Sequence, residues 1–533
     1  MTTNNNDSLD DWRSSHIIGD ITSESAGQDV ILMGWVESIR KQGGIIFLIL
    51  KDRSSSIQII LKKGKSSDDL LDKLDGITDH SSIGVKGNIS INQKAPGGIE
   101  IIPSAIKILS IANELPPFSL YGGQLPNIDK RLDIRAVDLR RPSAQAIMEL
   151  RASALQSIRQ FFINNNYLEV NTPKIIATAT EGGSALFPML YYDKEAFLTQ
   201  SPQLFKEQLV LPFEKVFEIA YAYRAEKSRT LHHISEFISV DMEQAFIDYN
   251  DVLKIIEELI ISVKNDLVSS SSDKLKKLNA ETWTNFDSIP VIKYDDAIDL
   301  IKTDNPKIEW GDDLSSKSLG ILAKHHPSFY YIIDWPSSGK PFYIKVNGDY
   351  SESFDLMYGN MELASGGTRV GSKDELKERL KQKNLNPNGF EFHLKIFDYG
   401  MPPHAGFGLG FERLMMVIAN QKNIREVSTF PRDQHRLSPW FILTSKKLID
   451  PKKYSELAKI DLSSEEQEIL GRQLPDILEY FDLLSKIDTS NEEHVDSVSN
   501  VFRDDVVKDS IADEILDIVP SKKERFVKGP RIV

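Results

Sequence analysis

The chain has 533 residues, enough for three or four domains and a large buried core, and its 41% hydrophobic and 27% charged residues are the proportions of a water-soluble protein. Its net charge of −14 argues against non-specific nucleic-acid binding, and the charge is uneven: the 84 residues from Asp450 onward hold twelve Lys and Arg against twenty Asp and Glu, a net −8 that leaves −6 for the rest. Cysteine is absent, which excludes disulfides and thiolate metal sites, and no apolar run reaches the roughly 18 residues of a membrane span. The polar, acidic stretch from Met1 to Asp11 has neither secretory nor transit character, so a cytoplasmic protein with no membrane association is expected.

In chain order, residues 1–14 are expected to form a disordered tail. Short apolar runs follow at Val30–Val36, Ile45–Leu50, Ser56–Ile60 and Gly84–Ile89, separated by Gly, Asp-Arg and Ser clusters, with one helical piece at Asp68–Leu74. About five strands and one helix predict a small closed barrel of OB type over 15–112. Leu115-Pro116-Pro117 opens a hinge over 113–142. The Asp138-Leu139-Arg140-Arg141-Pro142 run then leads into a long helix, with Ile147, Leu150, Ala154, Ile158 and Phe162 spaced three to four apart.

From 143 to 442 helices and strands mix without a βαβ rhythm, so the fold class predicted is α+β with an antiparallel sheet and flanking helices. Within it, about 281–339 is less patterned and is expected to be an insertion. A separate acidic module is expected over 450–533: Leu470, Leu474, Ile477, Phe481 and Leu484 mark an amphipathic helix from Ser464 to Lys486, with Ser463 and Glu466 as a capping box. Pro475 conflicts with that helix and would break it at a cost of about 3 kcal/mol.

Three segments carry chemistry. Gly406-Phe407-Gly408-Leu409-Gly410-Phe411-Glu412-Arg413 alternates glycines that let backbone lie against a flat ligand, then supplies an arginine. Phe217 to Phe246 contains Tyr223-Arg224-Ala225-Glu226 and ends Asp241-Met242-Glu243; upstream, Glu169-Val170-Asn171-Thr172 closes on Pro173. No Gly-x4-Gly-Lys-Ser/Thr loop exists to hold a nucleotide another way. Together these resemble motifs 3, 2 and 1 of the class II aminoacyl-tRNA synthetases.

The resemblance implies that ATP and Mg²⁺ are used. Arginine grips phosphate with a planar fork that keeps its charge, so Arg224 would take the α-phosphate and the substrate carboxylate, and Arg413 the γ-phosphate end. ATP would also meet Ala225, Glu226, His232, His233, Ile234, Gly410, Phe411 and Glu412, while Glu362 and Ser365 supply hard oxygen ligands to the metal. With Arg224 and Arg413, Glu362 makes the catalytic set. His232 and His233 are adjacent and point apart, which disfavours a metal pair.

Glu181–Phe187 and Gln200-Ser201-Pro202-Gln203-Leu204-Phe205-Lys206 are similar to the aspartyl-tRNA synthetases of the archaeal and eukaryotic type. That resemblance places L-aspartate among Glu181, Gln203, Leu204, Phe205, Lys206, Arg224, Asp241, Ser365 and Arg369. Lys206 and Arg369 would take the β-carboxylate, a charge arrangement that rejects asparagine; Glu181, Gln203 and Asp241 would serve the amino group. It also maps Phe47 to an anticodon-stacking aromatic, Gln58 to a base-edge reader and Arg40 to the RNA backbone. From sequence alone Phe47 reads equally well as barrel core.

Glu37 and Pro96 stand where enzymes restricted to tRNA-Asp carry Trp and Lys; Pro96 resembles the non-discriminating enzymes that charge both tRNA-Asp and tRNA-Asn. Class II resemblance further implies a homodimer through motif 1. Residues from Ala458 to Asp488, Asn500 to Lys508 and Gly529-Pro530-Arg531 resemble the C subunit of the tRNA-dependent Asp/Glu amidotransferase, implying partnership with its A and B subunits. Two alternatives stay open: an enzyme specific for tRNA-Asp with a structural appendage, and a catalytically weak scaffold for the amidotransferase.

Overall fold

The computed structural model describes residues 6–74, 76–177, 185–226 and 229–437, together with 462, 463, 466, 467, 470, 522, 523, 526 and 527. It divides into two units, Met1–Phe441 and Ile442–Val533.

The first unit opens with a closed barrel of strand order β1-β2-β3-β5-β4, formed by β1 (Asp29–Gln42), β2 (Ile45–Lys51), β3 (Ser56–Lys62), β4 (Ser82–Ile91) and β5 (Ile99–Ser110), with α1 (Asp68–Lys73) between β3 and β4. Val30, Leu32, Leu48, Leu50, Ile59 and Val85 fill its interior. Residues 6–14, expected as disordered tail, instead lie along the barrel. Asp7 N–H donates to the Ile108 carbonyl at 2.7 Å, its carboxylate accepts from Ile108 N–H at 2.9 Å, and Lys107 sits 5.2 Å over the Trp12 ring. The backbone of β5 offers hydrogen bonds that composition alone does not reveal.

The hinge folds as α2 (Ile128–Asp133) and α3 (Arg135–Asp138) around the buried Asp138, whose carboxylate meets Arg131, Arg135 and Arg141. α4 (Pro142–Asn164) starts with proline at its first turn, where the missing N–H costs nothing. It buries Ile147, Leu150, Ala154, Ile158 and Phe162, the face its apolar spacing predicts.

An eight-stranded sheet follows, in order β12-β13-β16-β17-β18-β11-β10-β6. Its strands are β6 (Leu168–Glu169), β10 (Lys215–Tyr223), β11 (Glu236–Ala245), β12 (Val291–Lys293), β13 (Phe329–Ile333), β16 (Ser353–Tyr358), β17 (Met361–Thr368) and β18 (His404–Gly410). All neighbours are antiparallel except the two edge pairs, β12 with β13 and β6 with β10. Smaller pairings join β7 (Ile175–Ile176), β8 (Pro188–Tyr191) and β9 (Lys194–Leu198), and β14 (Val346–Asn347) with β15 (Tyr350–Ser351).

α4, α6 (Tyr249–Lys277) and α11 (Phe411–Ile418) cover one sheet face in a single apolar core. α5 (Gln203–Phe213) precedes β10, and α9 (Lys373–Gln382) and α10 (Glu391–Leu394) precede β18. The 281–339 stretch, expected as an insertion, supplies β12 and β13 to this sheet, and all five β13 residues are buried. Its α7 (Tyr294–Lys302) and α8 (Ser316–His325) pack on those strands through Ile298, Ile301 and Leu322. A buried strand has no solvent face and so no alternation to read.

In the second unit the Ser463 hydroxyl and N–H donate to Glu466 at 2.7 and 2.8 Å, and Glu466 N–H donates back at 3.3 Å, the expected capping box. β19 (Lys522–Lys523) pairs with β20 (Phe526–Val527). The expected 464–486 helix lies largely outside the described residues. No helix among the described residues is long and apolar enough to cross a membrane.

Candidate active site

The sheet strands point alternate residues to opposite faces, and this decides what lines the site. On β18, Ala405, Phe407 and Leu409 enter the core, so Gly406, Gly408 and Gly410 face the other way. On β11, Val240 and Met242 enter the core, leaving Ser239, Asp241 and Glu243 opposite. On this face lies a cavity of about 280 Å³, lined by Gly408, Gly410, Ser365 and Gly366 among others. A Cβ at Gly406 would overlap the Met242 carbonyl and the Glu243 carboxylate, so the strand can approach β11 only as glycine.

One cluster in the cavity is built on Arg413, from the first turn of α11. It donates to the Glu362 carbonyl at 2.8 Å, the His232 carbonyl at 3.3 Å and His233 Nε2 at 2.9 Å. A guanidinium has no acceptor, so His233 Nε2 must carry the lone pair and Nδ1 the proton, which faces Thr230 Oγ1 at 2.5 Å. Burial, then the Arg413 charge, pushes His233 below its ordinary value, and His232 shifts the same way for the same reasons. Arg224, just beyond β10, lies 5.6 Å over the Phe237 ring, and both line the cavity with Glu226 and Ile234. Glu362 and Ser365, three residues apart on β17, both face it because the register with β16 slips by one residue between them.

A second cluster is ionic and buried. Arg369 pairs with Glu243 at 2.8 and 3.0 Å and reaches Gln203 Oε1 at 3.4 Å. Burial opposes the Arg369 charge, but Glu243 outweighs it and pushes the guanidinium above its ordinary value. Lys206 donates to Asp241 at 2.9 Å and to the Phe407 carbonyl at 2.8 Å. Gln203, Asp241 and Arg369 line the cavity; Lys206 stands behind Asp241 and does not.

The remaining expected residues divide by packing. Glu181 lies outside the described residues. Leu204 is in an apolar core, Phe205 packs toward Phe392 at 6.1 Å between ring centres, and Phe411 is fully buried beneath Arg151. Ala225 is held by its backbone, donating to the Ala185 carbonyl at 2.8 Å. Glu412 reaches the cavity wall but is committed to Arg151 at 2.6 Å and Ile238 N–H at 2.8 Å, with burial pushing its carboxyl up. His232 and His233 belong to no cluster of three or more His, Cys, Asp or Glu placed to hold a metal among the described residues.

Phe237, Glu243, Lys340 and Tyr343 were not singled out as site residues from sequence. Period-two counting along β11 finds Glu243 on the Asp241 face. Nothing in the sequence joins Lys340, which holds Asp355 at 2.9 and 3.1 Å opposite Ser365 in the strand register.

On the barrel, Arg40 opposes Phe47 across β1 and β2, and Ile49 opposes Gln58 across β2 and β3. Ile46, Leu48 and Leu50 point inward, so Phe47 is on the outer face with Arg40 and Gln58, which removes the core alternative. Gln58 is largely buried, its Nε2 donating to Glu100 at 2.9 Å. Glu37 falls at the irregularity of β1, and Pro96 is exposed in the loop before β5.

The family described as tRNA synthetases class II (D, K and N) matches residues 127–434, the OB-fold nucleic acid binding domain matches 30–109, and the Glu-tRNAGln amidotransferase C subunit matches 462–528. The aspartate--tRNA(Asp/Asn) ligase of Methanococcus aeolicus is 42% identical over 81% of this chain and 99% of its own length. The aspartate--tRNA(Asp) ligase of Pyrobaculum aerophilum is 40% identical over 80% of this chain and 99% of its own. Asparaginyl-tRNA synthetase from Pyrococcus horikoshii, solved with asparaginyl-adenylate, superposes with a TM-score of 0.75 at 30% identity, covering 78% of this chain and 98% of that one. The alternating glycines of β18, the arginine that follows them and the arginine beyond β10 thus meet in one cavity of a chain whose catalytic segment matches throughout: it belongs to the class II tRNA synthetases of the D, K and N group.

Proposed function

We propose that this chain joins L-aspartate to tRNA by way of aspartyl-adenylate, and that it does so for both tRNA-Asp and tRNA-Asn. The observation that carries the amino-acid assignment is the buried pairing of Arg369 and Lys206 with Glu243 and Asp241 beside Gln203. Of the two cations Arg369 lines the cavity beside Gln203, with Lys206 behind Asp241, and a cation there suits a substrate with a second carboxylate better than a carboxamide.

In the first step an α-carboxylate oxygen of aspartate attacks the α-phosphorus of ATP, forming the mixed anhydride and releasing pyrophosphate. Arg224 steadies the α-phosphate and incoming carboxylate, and Arg413 with neutral His233 receives the far phosphates. The side-chain-free strand at Gly408 and Gly410, with Phe237 nearby, accommodates the flat base. Mg²⁺, which needs hard oxygen ligands, fits Glu362 and Ser365 and when bound would neutralise phosphate charge. In the second step the terminal ribose hydroxyl of tRNA attacks the anhydride carbonyl and AMP leaves, so no protein nucleophile is required.

Use of both tRNAs is supported by the similarity to the aspartate--tRNA(Asp/Asn) ligase of Methanococcus aeolicus and by Pro96 in the barrel loop. The amidotransferase match at 462–528 supports partnership with A and B subunits that would amidate Asp-tRNA-Asn. A homodimer through motif 1 is supported by β6 at the sheet edge with Ile163, Leu168 and Phe213 exposed nearby. A cytoplasmic location follows from this role in protein synthesis.

Aspartate-dependent ATP–pyrophosphate exchange tests the proposal. Arg224→Ala should lose about 3 kcal/mol or more of transition-state stabilisation while keeping its fold. Exchange within tenfold of wild type would contradict the role given to Arg224, and a wild type without aspartate-dependent exchange would favour the scaffold alternative. Charging of tRNA-Asp alone would leave the aspartyl reading standing and remove tRNA-Asn.

A further inference from the structure

His233 stands on the run 230–235 between β10 and β11, a stretch in neither helix nor strand. Such a stretch takes its position from bonds to other parts of the chain. Here they come from residues 424–432, which follow α11. Ile424 N–H donates to the Leu231 carbonyl at 2.9 Å, and Arg425 Nη1 donates to the Thr230 carbonyl at 2.9 Å. At the other end Ser235 N–H donates to the Arg432 carbonyl at 2.7 Å.

Asp433 closes this brace. Its side chain is 6% exposed, and its carboxylate accepts from Arg425 Nε at 2.7 Å, His435 N–H at 3.0 Å and Arg229 Nε at 3.3 Å. Among the described residues it is the one carboxylate within ion-pair distance of Arg425, whose side chain is 2% exposed. A guanidinium so enclosed keeps its place only while its counter-charge is present. Arg229 extends the brace to the hinge by pairing with Asp129 on α2. Neither Asp433 nor Arg425 lines the cavity.

The contacts nevertheless end on a group that does. Arg425 holds the Thr230 carbonyl, and Thr230 Oγ1 accepts the Nδ1 proton of His233 at 2.5 Å. That leaves the lone pair on Nε2, where Arg413 donates at 2.9 Å. The bonds of Lys206 and Arg369 run to Asp241, Glu243, Gln203 and the Phe407 carbonyl, and share no residue with this path.

We propose that Asp433 is a positioning residue for the nucleotide. By pinning Arg425 it keeps Thr230 against His233, and so fixes the tautomer on which Arg413 rests while it faces the far phosphates. Asp433 acts only through these residues. The inference rests on the reading above of Arg413 and His233 as the phosphate end.

ATP–pyrophosphate exchange on the full chain, with ATP and aspartate varied in turn, tests it using Asp433→Asn, Thr230→Val and the double variant. Asp433→Asn keeps the size of the side chain and loses the charge that pins Arg425. Thr230→Val keeps the volume and loses the hydroxyl that meets His233. Each should raise the KM for ATP roughly tenfold, about what one hydrogen bond to a charged group contributes, with the KM for aspartate within twofold. Because both break one path, the double variant should be no worse than the more affected single variant. A general loss of packing predicts otherwise. Constants for ATP and aspartate would then rise together, or the two effects would multiply to about a hundredfold. Either result overturns the proposal, as does an unchanged KM for ATP in Asp433→Asn. Should Asp433→Asn fail to fold, Asp433→Glu, which keeps the charge and moves it by one methylene, is read in the same way. An unchanged KM for ATP in Arg413→Ala sinks the phosphate reading and this inference together. A raised KM in Arg413→Ala beside an unaffected Asp433→Asn sinks this inference alone.

Discussion

Arg413 Nη2 lies 2.9 Å from His233 Nε2, and because the arginine can only donate, the imidazole beside the nucleotide end of the site must be neutral. Burial and the Arg413 charge both push His233 below its ordinary 6.5, so the unfolded chain binds this proton more readily than the folded one. The stability and phosphate geometry that depend on the neutral ring are therefore fully present above 6.5 and are lost as pH falls through the lower folded value. The KM for ATP should rise on the acid side of 6.5 in wild type. His233→Gln keeps an acceptor toward Arg413 without a titrating group, and its KM should stay flat over the same range. A wild-type profile as flat as the variant's would show that the pair does not govern ATP binding.

Lys206→Met removes the cation between Asp241 and Glu243, whose carboxylates are nearly inaccessible to water. Breaking a buried pair from one side costs about 3–5 kcal/mol because a charge remains unpaired. Thermal unfolding should show that loss, and aspartate activation should fall much further than ATP affinity. Unchanged unfolding would mean that water reaches Asp241 freely.

Phe47→Ala should separate the barrel from the catalytic unit. Stacking of a base on an aromatic contributes about 1–3 kcal/mol, so the KM for tRNA should rise while pyrophosphate exchange, which needs no tRNA, stays at the wild-type rate. Equal loss of both activities would mean that Phe47 supports the barrel fold and not RNA binding.

Removal of residues 450–533 should leave aspartylation of both tRNAs nearly unchanged and abolish co-purification with amidotransferase A and B subunits. The net −8 of that segment repels phosphate and suits a protein partner, and covalent attachment would raise the local concentration of the amidating enzyme to roughly the millimolar range. Assembly that proceeds equally well without the segment would refute the role.

By itself the sequence determined the barrel's strands and helix, the face α4 buries and the run that becomes β18, because period-two and helical spacing are local consequences of which side of an element meets water. It also pointed, through short motifs and family resemblance, to Arg224, Glu362, Arg369 and Arg413, all of which line the cavity. Tertiary structure alone decided which of these share a cavity and which charges are already spent on each other. Lys206 and Arg369, read as taking the substrate's β-carboxylate, are each paired with a carboxylate of the protein. Leu204 and Phe411, read as ligand contacts from their place inside motifs, pack away from the cavity. The β13 strand looked unpatterned because both its faces are buried. His404 and Glu207 lie nearly 200 positions apart, and only the meeting of β18 with α5 places an imidazole against that carboxylate. Pairing of charges depends on distance in space and on exclusion of water, and neither is written in the order of residues.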